Sequence, residues 1–175
     1  MTRALILAFL LAASPAYAED ECGLGDLTPY FGKAPKSVAF IPDESLESGG
    51  RRVLWEAVRS WNKTCRGSIP KLRYNLRAYD SWTVIFDPDP PEGICAATIP
   101  NRRVVVVAAT PDGTDLLCTE HTQKHRDVLT TIQHEIGHAA LRLGHSDSPA
   151  CSGRIMAVGE LTEPRKLTKA DCPAP

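Results

Sequence analysis

The sequence predicts an α+β domain in which a mixed sheet of four or five strands packs on two long helices. Three observations lead there. Short runs rich in β-branched and aromatic residues, bounded by turn residues, lie between residues 36 and 108. Two longer stretches, near 51–63 and 128–143, carry apolar side chains at helical spacing. No repeat, low-complexity tract or long Pro/Gly-rich linker divides the chain.

The elements follow in order. Arg3, the apolar run from Ala4 to Ala13 and the ending Ala16-Tyr17-Ala18 form the charged start, apolar middle and small-residue cleavage site of an export signal. The run is too short to span a bilayer, so residues 1–18 read as a signal peptide and 19–175 as one mature domain, secreted or periplasmic, with no membrane anchor. With 20 basic against 21 acidic residues and no basic run, the chain is not a partner for nucleic acid or for a membrane surface.

Lys36 to Ile41, before Pro42, is a first strand. Gly49-Gly50 are expected to break the chain ahead of a helix on which Val53, Leu54, Ala57, Val58 and Trp61 form a core stripe. Lys71 to Tyr74 and Trp82 to Phe86 are further strands, the latter ended by Asp87-Pro88-Asp89-Pro90-Pro91. Calcium takes roughly 6 to 8 oxygens, and two carboxylates on that short turn do not supply them; a calcium site is possible there but not supported. Residues 112–124 read as a loop, with His121 and His125 as solvated side chains.

The second helix carries His134-Glu135-Ile136-Gly137-His138. Histidines four apart on a helix rise about 6 Å and share a face, so both imidazoles can reach one metal. A catalytic zinc takes three protein ligands and keeps one position open. His145 is the third donor if Gly144 adopts a left-handed conformation, ends the helix and swings the chain back; Asp147 is the alternative oxygen donor. Glu135 then stands beside the metal as a base.

These residues resemble the metzincin zinc endopeptidases of the matrixin-like branch, whose pattern is H-E-x-x-H-x-x-G-x-x-H followed by a methionine turn. His134, Glu135 and His138 match in place; His145 comes one residue late, and Leu141 stands where the family has glycine. The helix at Ala57-Val58-Arg59-Ser60-Trp61 is similar to the first helix of such domains. Gly93 to Pro100 resembles their edge strand, with Arg102 to Ala108 as its hairpin partner, which implies that Ala96, Ala97 and Thr98 bind substrate backbone as an added strand. Met156, eleven residues after His145, falls at the methionine turn. Val158 replaces the tyrosine some metzincins place two residues on. Leu167 to Cys172 resembles the opening of the last matrixin helix, capped by Thr168.

Six cysteines in an exported chain imply three disulfides. The pairing is open; the preferred set is Cys22 with Cys65, Cys95 with Cys118 and Cys151 with Cys172, the last holding the methionine turn in place. Cys22-Gly23-Leu24-Gly25-Asp26 slightly resembles a matrixin cysteine switch but is read as one half of a structural bridge.

The resemblance implies a metzincin-like zincin domain with a short C-terminal subdomain. It also implies a zinc-dependent endopeptidase acting on peptide or protein substrates, with one catalytic Zn²⁺ on His134, His138 and His145 and Glu135 as general base. The alternative is a secreted zinc-binding module without turnover. Retention of Glu135 argues against it, because a structural zinc needs a fourth protein ligand and no base.

Overall fold

The computed structural model describes residues 33–75, 81–91, 93–118, 127–145, 153–157 and 165–173. The export signal, Cys22, His121, His125, Asp147, Cys151 and Val158 lie outside them.

The fold is α+β, with a five-stranded mixed sheet and two helices. Chain order gives β1 (Ser37–Pro42), α1 (Ser48–Thr64), β2 (Lys71–Tyr74), β3 (Ser81–Phe86), β4 (Ala96–Ile99), β5 (Val104–Val107) and α2 (Val128–Leu141), then a 3₁₀ turn at Lys169–Asp171. The sheet runs β2-β1-β3-β5-β4. Four strands are parallel, and β4 alone runs against its neighbour, Thr98 opposite Val105. The expected hairpin is therefore present and leaves β4 on an edge.

Alternation along β3 buries Trp82, Val84 and Phe86 on one face, where they meet Leu54, Ala57, Val58 and Trp61 of α1 and Ile132, Ile136, Ala139 and Ala140 of α2. The helices are also joined by polar bonds: Trp61 Nε1 donates to the Gln133 carbonyl at 2.9 Å, and Gln133 Nε2 donates to Ser60 Oγ at 2.7 Å. Buried polar atoms need such partners. Asp127 caps α2, its carboxylate accepting from Thr130 N–H at 2.6 Å. No helix among the described residues is long and apolar enough to cross a membrane.

Two local expectations are corrected. Gly49 and Gly50 do not precede α1; they form its first turn. A Cβ at Gly49 would lie 2.3 Å from the Asp112 carbonyl oxygen, and one at Gly50 2.6 Å from that of Pro111, so these glycines admit the 111–113 backbone against the helix end. The second correction concerns the cysteines. Cys95–Cys118 forms as expected, but Cys65 pairs with Cys172, which excludes Cys22–Cys65 and Cys151–Cys172. Cys65 caps the C-terminus of α1, so this bridge fastens the end of the chain to a helix and not to the segment around Met156.

Candidate metal centre

Helix α2 is buried on nearly every side, His134 (4% exposed), Glu135 (5%) and His138 (9%) included. It packs beside α1 and against β4 and β5, with its histidine face toward the chain that returns after Leu141.

The return is made by Arg142. Its φ of 61° and ψ of 26° are left-handed, and the Leu143 N–H reaches back to the Gly137 carbonyl at 3.2 Å, closing a Schellman-type turn. Gly144, expected to take this conformation, does not have a positive φ. The helix runs on through Leu141, so the reversal falls on Arg142, three residues before His145. The Arg142 guanidinium donates to the Ala139 carbonyl. A non-glycine residue in this region is strained, and a β-branched one more so. Arg142→Gly and Arg142→Val both remove that guanidinium bond, so the difference between them isolates the backbone. Thermal unfolding should find the valine variant less stable than the glycine variant by about 1–3 kcal/mol.

The turn brings three imidazoles together. His134 and His138 Nε2 lie 3.0 Å apart, and His145 Nε2 lies 3.0 Å from the first and 3.1 Å from the second. The Nδ1 of His134 lies 2.8 Å from the Ile155 carbonyl and that of His138 2.7 Å from the Leu143 carbonyl. A carbonyl only accepts, so each neutral ring carries its proton on Nδ1 and turns a bare Nε2 lone pair toward the others. Two such lone pairs cannot hydrogen-bond each other. A cation between them resolves the conflict, and a tetrahedral ion with nitrogens at about 2.0–2.1 Å spaces them about 3.3 Å apart, close to the separations found. His134, His138 and His145 can therefore hold a metal ion. His145 is the exposed member, which leaves the group accessible from its side.

The Glu135 side chain reaches the sheet edge, where Thr98 Oγ1 donates to its Oε2 at 2.6 Å. Ala96 and Ala97 lie beside Thr98 on β4, half-buried. Met156 is fully buried and packs beneath α2 at Gly137; a Cβ there would be 2.3 Å from its Sδ. Gly137 is thus small because the methionine sulfur occupies the place of its side chain.

Three contributors were missed at the level of sequence. The first is Arg142, a non-glycine residue whose left-handed backbone no local sequence signal announces. The second is Asp171, 1% exposed, whose carboxylate accepts from Ile155 N–H at 2.7 Å and from Thr168 N–H and Oγ1 at 2.8 and 2.9 Å. The spacing Thr168-x-x-Asp171 is the signature of the capping box it forms. Through Ile155, this carboxylate supports the carbonyl that orients His134. The third is the Thr98 hydroxyl on Glu135.

The fold and the triad together define an α+β domain with three histidines that could hold a metal ion. No protein-family model matches the chain, and no curated protein sequence does. Among solved structures it is similar to high choriolytic enzyme 1, a hatching enzyme zinc-protease from Oryzias latipes (medaka fish), at 16% identity and a TM-score of 0.40. The likeness covers 67% of this chain and 51% of that one, so the chain spans about half the length of that enzyme.

Proposed function

We propose that the chain is a zinc-dependent endopeptidase of the metzincin type, with the matrixin-like branch suggested by its motif order. The observation that carries the reading is the convergence of three Nε2 atoms within 3.1 Å of one another, the first histidine being followed in the helix by a buried glutamate. A structural zinc would call for a fourth protein donor; the motif supplies a carboxylate on the neighbouring helical position instead. His134, His138 and His145 would hold the ion, the tautomers of the first two set by the Ile155 and Leu143 carbonyls. Bound zinc supplies Lewis acidity, which acidifies water and polarises a scissile carbonyl. Glu135 takes the proton from the attacking water and returns it to the leaving amine. The outer edge of β4, at Ala96 to Thr98, receives the substrate backbone as an added strand. Met156 provides an apolar floor that excludes water from beneath the site.

We also place the mature chain, 19–175, outside the cytoplasm. Cys65–Cys172 and Cys95–Cys118 call for an oxidising compartment, and residues 1–18 have the form of a cleaved export signal.

The test is casein hydrolysis by the purified mature protein. Activity should be abolished by a chelator and restored by zinc, with about one zinc per chain by elemental analysis. A chain that binds one zinc and cleaves nothing would instead be a zinc-binding module.

A further inference from the structure

We propose that Thr98 is a positioning residue for Glu135: its hydroxyl clamps the carboxylate in the orientation from which the proton is taken up. The inference rests on the endopeptidase reading and gives Thr98 a second task beyond lending its backbone to a substrate strand.

The geometry is specific. Thr98 Oγ1 lies 2.6 Å from Glu135 Oε2 and 3.4 Å from the Glu135 carbonyl oxygen, so the hydroxyl proton is directed to the carboxylate and the longer contact is secondary. At 2.6 Å the contact is at the short end of the range for a hydroxyl hydrogen bond.

The donor is also held in place. Thr98 sits inside β4, in register with Val105 of β5, and Cys95, the residue before β4, is bridged to Cys118. A β-branched side chain has few rotamers open to it in a strand, so fixing the strand fixes the hydroxyl. On the other partner, Glu135 is on the rigid helix that presents His134, but a glutamate has three rotatable bonds. The helix alone therefore places its Cα and not its oxygens. Thr98 supplies a restraint on those oxygens from across the gap between α2 and the sheet edge.

The same contact couples the two halves of the site. The strand that receives substrate and the base that acts on it are joined by one hydrogen bond, so a peptide seated along β4 is registered directly against the carboxylate. A misplacement of about 1 Å can cost roughly 100-fold in rate, which sets the scale of the effect.

The test compares Thr98→Val, Thr98→Ser and Glu135→Ala with the parent, each loaded with zinc. Thr98→Val keeps the shape and removes the donor. It should lower kcat roughly 10- to 100-fold with KM nearly unchanged, while Thr98→Ser restores most of the loss. Zinc affinity, read by competition with a chromophoric chelator, should stay at the parent value in both. Independently of turnover, the Thr98 hydroxyl proton should exchange slowly enough to give a proton resonance in the parent, and that resonance should vanish in Glu135→Ala. Equal kcat for Thr98→Val and an active parent, or a loss confined to KM, overturns the clamp and leaves the endopeptidase reading standing. A zinc-loaded parent with no hydrolysis removes both.

Discussion

Glu135→Ala should leave zinc bound and reduce peptide hydrolysis by at least about 100-fold. The carboxylate is 5% exposed and adjoins the first histidine of the triad, yet it is not among the three groups that converge on the metal position. Removing it leaves every Nε2 donor and both carbonyl partners intact, so metal content should not fall. What is lost is a positioned acid and base, worth roughly 10²–10⁴ in rate. Glu135→Gln keeps the shape and the Thr98 contact and should be equally slow, which separates loss of the base from loss of packing. Elemental analysis and kcat/KM on one fluorogenic peptide check the two halves together. A Glu135→Ala protein as active as its parent would move the chemistry elsewhere.

The second large effect is on the metal itself. His145→Ala should weaken zinc binding by roughly 100- to 1000-fold, the share of one ligand in a site whose total is about 10–16 kcal/mol. His134 and His138 remain in place because their anchors, the carbonyls of Ile155 and Leu143, do not involve His145. Asp147→Ala should bind zinc as the parent does, since the His145 ring already completes the triangle at 3.0 and 3.1 Å. A competition titration ranks the three proteins. If Asp147→Ala loses the metal and His145→Ala keeps it, the donor set is different.

How far the sequence could be read depended on the range of the interaction. The pairing of His134 with His138 follows from helical pitch alone, a property of four consecutive residues, and the β4–β5 hairpin follows from two apolar runs and the turn between them. Both are local. The position of His145 is one step harder, because it depends on which residue reverses the chain. Glycine is the default for a left-handed turn, so Gly144 is the expected position, yet the turn falls on Arg142. There the need to bring a third imidazole within 3.1 Å of two others outweighs the preference of one residue. The disulfides are harder still. Nothing local to Cys65 or Cys172 tells them apart from Cys22 or Cys151; only the packing of α1 against the C-terminal turn brings those two Cα atoms within 5.3 Å. For the same reason Gly49 and Gly50 read as a break. Their purpose is contact with a loop some sixty residues away, and helix propensity knows nothing of it.

The bridge from Cys65 to Cys172 spans 107 positions, and the smaller ring from Cys95 to Cys118 lies inside it. Four of the five strands, α2 and Met156 fall within the larger ring. A single nick at any peptide bond between residues 65 and 172 therefore leaves both fragments covalently attached. For a chain proposed to hydrolyse peptides, this is tolerance of its own kind of damage: a molecule clipped by a neighbouring copy would migrate intact under oxidising conditions and come apart only once thiols were added.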